Sequence, residues 1–138
     1  PWCEYLGALD KRALQNEMSQ ATVGVLPSFE DNCPMVILEA TAAGLPFAAS
    51  RVGGIPDLIE HRQTGLLFNP RQPESIRSSV ESLIADNGLA EQLATSARAY
   101  AVSQFSAESV ARRHLKVYHA VIANPFAEGA KRNPNLRQ

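Results

Sequence analysis

Cysteine is nearly missing from this chain. Cys3 and Cys33 stand thirty residues apart, in neither a C-x-x-C redox spacing nor a zinc-ligand spacing, and read as free thiols of a reducing compartment. Histidine is as sparse: His61 is isolated, and His114 and His119 lie five apart on an expected helix, which puts them on different faces. No metal site is expected from either residue type. No apolar run reaches the roughly 18 residues that a membrane span needs, and no secretory signal is visible. Neither sign of charge is in excess: 13 Lys and Arg against 14 Asp and Glu leave a net −1, without the basic face of a nucleic-acid binder.

What is present is ordinary globular composition, 45% apolar and 20% charged, in 138 residues. That length buries the core of one domain but is short for a complete doubly wound sheet. The chain begins PWCEYLG, without methionine and inside an expected strand, which fits a fragment of a longer protein.

Cys3–Leu6 reads as a short strand closed by Gly7. Residues 10–20 read as a helix, with Asp10 as N-cap and Leu14 and Met18 on one face. TVGVLP (22–27) is β-branched and apolar, as suits a buried parallel strand. A helix follows from Pro34 to Ala43, with Pro34 in its first turn, Asn32 or Cys33 as cap, and Gly44 as its stop. PFAAS (46–50) and GLLF (65–68) are further strands, with a short helix, IPDLIEH, after Gly53-Gly54. From Pro73 three helices follow. The first carries Ile76, Val80, Leu83 and Ile84 on one face, the second Leu89, Leu93, Ala97 and Tyr100. The third, 107–123, is capped by Ser106 and carries Val110, Val117, Val121 and Ile122. One domain, 1–123, precedes a polar tail, 124–138. Strands alternating with helices imply a parallel sheet with right-handed crossovers. Loops 7–10, 27–33 and 51–54 would then open on one edge, where open α/β sheets bind ligands.

Asp31 and Glu39 lie eight positions apart across the start of the 34–43 helix. A helix N-terminus offers unpaired N–H groups and partial positive charge to an anion. An ionised carboxylate accepts from both vicinal hydroxyls of a ribose, and Glu39, beside the apolar run Met35-Val36-Ile37-Leu38, needs such a partner or solvent. Gly53-Gly54 lets backbone approach a ligand closely. The arrangement suits the sugar and phosphate ends of a nucleotide-activated sugar. The plainer readings are an N-terminal helix charge at Asp31, a half-exposed glutamate paired with a cation at Glu39, and turn glycines at 53–54.

In order and spacing these residues resemble the group 1 (family 4) retaining glycosyltransferases. The likeness runs through Tyr5-Leu6-Gly7, Pro27-Ser28, Asp31, Glu39, Ala40-Thr41-Ala42-Ala43-Gly44-Leu45-Pro46, Val52-Gly53-Gly54-Ile55-Pro56-Asp57, Thr64-Gly65-Leu66-Leu67 and Asn69-Pro70 through Ile76. It covers roughly residues 3–118. The resemblance implies an α/β fold: a Rossmann-like parallel sheet flanked by helices, part of the C-terminal domain of the two-Rossmann-domain (GT-B) architecture. It implies that Asp31 is the catalytic residue, in contact with the donor sugar, and that Glu39 binds the ribose. Asn32, Cys33 and Met35 would meet sugar or diphosphate through backbone N–H groups, Leu9 would lie near the base, and Gly53 and Gly54 would complete the donor site. Three departures stand out. The first acid is Asp where Glu is usual, with Glu30 beside it; Asn32-Cys33-Pro34 replaces an aromatic-glycine pair; and Thr41 replaces Met.

The function so implied is retaining sugar transfer from a nucleotide-sugar donor to a glycan, lipid or small-molecule acceptor, as in polysaccharide biosynthesis, with no metal or other cofactor. An N-terminal acceptor domain in cis and an upstream Arg and Lys for the diphosphate would complete the enzyme; Arg51, at the same sheet edge, reads more simply as a solvated surface arginine. The chain by itself is expected to be inactive. Its location is expected to be cytoplasmic, with room for peripheral contact with the inner face of a membrane, and the surface left by missing strands invites homo-oligomers. The alternatives are a non-catalytic nucleotide-sugar-binding or regulatory module of the same fold, and another enzyme class on the same architecture, such as a nucleotide-sugar epimerase.

Overall fold

The computed structural model describes residues 3–123. The chain divides into two compact units between Ser103 and Gln104. In the first, Asp10 accepts the Ala13 N–H at 2.8 Å and so caps α1 (Lys11–Gln20), which buries Met18. There follow β1 (Gly24–Leu26), α2 (Met35–Ala43), β2 (Phe47–Ser50), a 3-10 turn (Ile55–Asp57), β3 (Leu66–Phe68), α3 (Pro73–Ala85) and α4 (Asn87–Phe105), whose last two residues fall in the second unit. The three strands form one parallel sheet in the order β1-β2-β3. Gly24 pairs with Phe47, Ala48 with Leu66 and Ser50 with Phe68.

Alternation along the strands sorts the core. Ala48, Leu66 and Phe68 share one face and pack against Leu83 of α3 and Ala90 and Leu93 of α4, with Ile76 and Leu89 at the margin. α2 packs on β2, and α1 on α2. α2 stops at Gly44, whose left-handed conformation (φ 77°) turns the chain so that the Leu45 N–H reaches back to the Ala40 carbonyl at 3.0 Å.

The second unit contains α5 (Ala107–Ala123), capped as expected by Ser106, whose Oγ accepts the Ser109 N–H at 3.3 Å. Arg112 pairs with Glu108 along the helix, and Val117, Tyr118, Val121 and Ile122 are exposed. The tail expected at 124–138 lies outside the described residues. Among those described, no helix is long and apolar enough to cross a membrane.

Three expectations are corrected. Cys3–Leu6 forms no strand: Tyr5 is 93% exposed and Leu6 46%, because among the described residues no strand lies alongside to take their backbone groups. Loop 7–10 is therefore not held at the sheet edge by a strand. Pro34 is the N-cap of α2 rather than a first-turn residue, with ψ 109°, and neither Asn32 nor Cys33 caps the helix. The helix expected over IPDLIEH closes to the single 3-10 turn, after which Leu58 and Ile59 are drawn into the core.

The two edges of the sheet are finished differently. Beside β3 the chain turns through Glu60–Gly65, and the His61 Nδ1 accepts the outward Leu67 N–H at 2.9 Å. That nitrogen must therefore be unprotonated. Desolvation against the strand holds the imidazole pKa below its usual 6.5, and the Arg51 and Arg62 charges push it the same way. β1 is the other edge strand, and Val25 is 40% exposed.

Two outcomes are expected. His61 binds a proton less readily folded than unfolded, so its contribution to stability is complete above pH 6.5 and is lost as pH falls through the folded-state pKa. Thermal unfolding followed from about pH 7.5 to about pH 5 should show a steeper loss for the unmodified chain than for His61→Gln; parallel profiles would discount the ring. Gly44→Ala, which strains φ while its Cβ meets no atom within 4 Å, should cost about 1 kcal/mol in urea unfolding.

Candidate active site

Each strand ends in a loop at the same edge of the sheet: 27–33 after β1, 51–54 after β2 and 69–72 after β3. These loops are tied to one another. The Ser50 Oγ donates to the Leu26 carbonyl at 3.3 Å, the Arg51 N–H to the Phe68 carbonyl at 2.8 Å, and the Gly54 N–H to the Asp31 carbonyl at 3.1 Å. The Arg71 guanidinium lies 5.9 Å from the centre of the Phe29 ring, a cation–π contact joining the first loop to the third. Phe29 is 68% exposed at this edge.

Asp31 is anchored twice, since its carbonyl takes the Gly54 N–H and its Oδ1 accepts the Cys33 N–H at 3.2 Å. The second bond is an Asx-turn, which a side chain of aspartate length closes readily. Oδ2 makes no hydrogen bond among the described residues. Glu30, beside it, is exposed and makes none either. The Asx-turn leads into α2, whose first turn has no side-chain cap. The N–H groups of Met35 and Val36 find no acceptor among the described residues, whereas the Cys33 N–H is engaged by Asp31.

Glu39 lies one turn into α2, about 6 Å along the axis from Met35. Both are exposed and, four apart, share a helix face. Among the described residues Glu39 has no hydrogen bond or ion pair, so the cation partner of the plainer reading is not found. Asn32, Cys33, Met35 and Glu39 are thus all open to solvent, beside a helix end with free N–H groups. Anion binding and hydroxyl acceptance are what this surface can do chemically.

Gly53 and Gly54 lie against the acidic loop. A Cβ on Gly53 would fall on the Asp31 carbonyl oxygen, and one on Gly54 on that of Asn32. Leu9 sits on the approach to α1, and no hydrogen bond joins it to these loops. Arg51 is exposed, with no ion pair among the described residues. Sequence reasoning missed Ser50, Phe29 and Arg71. Ser50 carries a faint signal, a lone hydroxyl at the end of an apolar strand, while the pairing of Phe29 with Arg71 has none. Among the described residues no three His, Cys, Asp or Glu side chains gather as metal ligands.

A concavity lies elsewhere on the chain. An open groove of about 840 Å³ is lined by Thr22, Gly44, Pro46, Leu83, Glu91 and Arg98 among others. Thr22, Gly44 and Pro46 precede β1 and β2, which puts the groove at the amino edge of the sheet, opposite the braced loops. Ligands of parallel sheets bind at the carboxyl edge, and the loops there hold the candidate site.

Comparison with known proteins gives the family and the fold. The family profile described as Glycosyl transferases group 1 matches residues 2–100. Glycogen synthase of Mycobacterium tuberculosis is 32% identical over 133 residues, 96% of this chain and 31% of its own length. The structure of sucrose-phosphate synthase from Thermosynechococcus elongatus superposes with a TM-score of 0.77 at 29% identity, over 87% of this chain and 30% of that one. Anabaena HepE, in complex with UDP-glucose, superposes at 0.69 and 21% identity, over 78% of this chain and 30% of its own, and shares the fold. The chain spans about 30% of the length of these proteins.

Proposed function

The chain belongs to the group 1 glycosyl transferases, and from that premise we propose that it is the donor-binding part of a retaining transferase that uses a nucleoside-diphosphate sugar. The observation that carries this reading is the uncapped N-terminus of α2, flanked on one side by the anchored Asp31 carboxylate and on the other by the unpartnered Glu39. A diphosphate suits the free N–H groups of Met35 and Val36, and the helix dipole adds about 0.3–1 kcal/mol in its favour. The two ribose hydroxyls suit Glu39. The sugar suits the free Oδ2 of Asp31 and the backbone around Asn32 and Cys33.

In the reaction, the bond between the anomeric carbon and the phosphate oxygen breaks with its electron pair going to the diphosphate. The acceptor oxygen bonds to that carbon on the face the diphosphate leaves, and its proton passes to the departing phosphate oxygen. The chain's own residues orient the sugar and stabilise the charge gathering on the diphosphate. No metal or further cofactor enters this scheme. An acceptor domain elsewhere in the intact transferase supplies the other wall of the cleft, the acceptor and the remaining phosphate charges, so this chain alone binds donor weakly and transfers nothing.

An NMR titration of the chain with UDP-, GDP- and ADP-glucose tests the reading. Amide shifts should gather at 31–36 and 39. Shifts confined to the groove near Thr22, Pro46 and Arg98, or none with any donor, would reject it. Glu39→Ala should weaken the best donor by roughly 1.5–3 kcal/mol, about ten- to a hundredfold. Unchanged affinity in a folded variant would remove Glu39 from the site.

A further inference from the structure

The turn after β2 and the loop after β1 meet backbone to backbone. Gly53, at φ 51°, presents its Cα to the Asp31 carbonyl oxygen, and Gly54 presents its Cα to that of Asn32. Between them the Gly54 N–H donates to the Asp31 carbonyl at 3.1 Å. Two successive peptide units of the acidic loop thus rest on two successive glycines, so the loop can neither slide nor roll without breaking the contact. Ser50 and the Phe29–Arg71 pair hold the loop's beginning; the glycine turn holds its middle, where Asp31 turns its carboxylate back onto the Cys33 N–H.

We propose that Gly53 and Gly54 are positioning residues. Their contact with the 31–32 backbone sets the Asx-turn of Asp31 and, through it, the approach to the uncapped end of α2. This deepens the donor-binding reading and rests on it. It also gives the glycines a role other than touching the ligand, because the backbone they approach is the chain's own. A Cβ at Gly54 must displace the Asn32 carbonyl, and an error of about 1 Å in such a site costs up to about a hundredfold.

The test compares Gly54→Ala with Gly44→Ala in the 138-residue chain. Gly44 has positive φ, unlike Gly54 at φ −91°, so its variant strains the backbone, but a Cβ there meets open space and the residue lies at the opposite sheet edge, so its variant reports plain destabilisation. The probes are UDP-, GDP- and ADP-glucose by NMR titration, with amide hydrogen exchange read alongside. Gly54→Ala should weaken the best-bound probe by about ten- to a hundredfold and speed exchange at the Cys33 amide, while Gly44→Ala leaves both as in the unmodified chain. Unchanged affinity in folded Gly54→Ala, or an equal loss in Gly44→Ala, overturns the proposal. If Gly54→Ala does not fold, the unmodified chain decides: a Gly54 amide exchanging as fast as a free loop amide overturns it, and a protected one supports it. Failure of the unmodified chain to bind any of the three probes rejects the donor-binding reading instead, and the Gly54 and Cys33 exchange rates still decide the positioning role.

Discussion

Both neighbours in the sheet hydrogen-bond through β2, and β2 can hold the centre because its four residues, Phe47, Ala48, Ala49 and Ser50, accept complete burial. Three are small. Ala48 lets α3 and α4 close over one face with Leu83, Ala90 and Leu93, and Ser50 satisfies its hydroxyl on the neighbouring Leu26 carbonyl. From this strand the chain leaves through Arg51 into the glycine turn, so the centre of the sheet also supplies the support under the acidic loop. Packing and site share one element.

The site pairs a fixed part with an open one. Asp31 is held by its main chain and one carboxylate oxygen, whereas among the described residues Glu39 and the N–H groups of Met35 and Val36 have no partner. The length of the Asp31 side chain acquires a physical sense here. The short side chain closes a turn on the Cys33 N–H two residues ahead, and its second oxygen still faces out. On the proposed reading the donor surface is shaped beforehand, and charge stabilised by preorganised dipoles requires no reorganisation as the bond breaks.

Much of the fold was legible in the residues because its signals are local. Asp10 capping α1, Gly44 ending α2, Ser106 opening α5 and the apolar runs of β1, β2 and β3 all declare themselves within a few positions. Pro34 stands one place outside the helix position that its residue type predicts, because a missing N–H is harmless at either position and only ψ separates them. Cys3–Leu6 carries the composition of a strand, but a strand exists only where another backbone lies alongside. For the candidate site, the sequence names candidate residues without showing what they touch. That Gly53 and Gly54 rest on residues 31 and 32, more than twenty positions earlier, or that the His61 ring caps the Leu67 N–H, depends on tertiary approach that no local pattern encodes.

The unequal edges of the sheet have a consequence for how the chain breathes. At β3 the outward backbone is covered by the turn that contains His61, so opening that side requires undoing the turn as well. At β1, three residues long, pairing among the described residues runs to β2 alone, and Val25 faces solvent. Fluctuations that loosen the sheet therefore start at β1 and travel inward, along a gradient of local stability rather than in a single step. The acidic loop hangs from the end of β1, so the strand most prone to loosen carries the half of the site that the glycine turn holds in place.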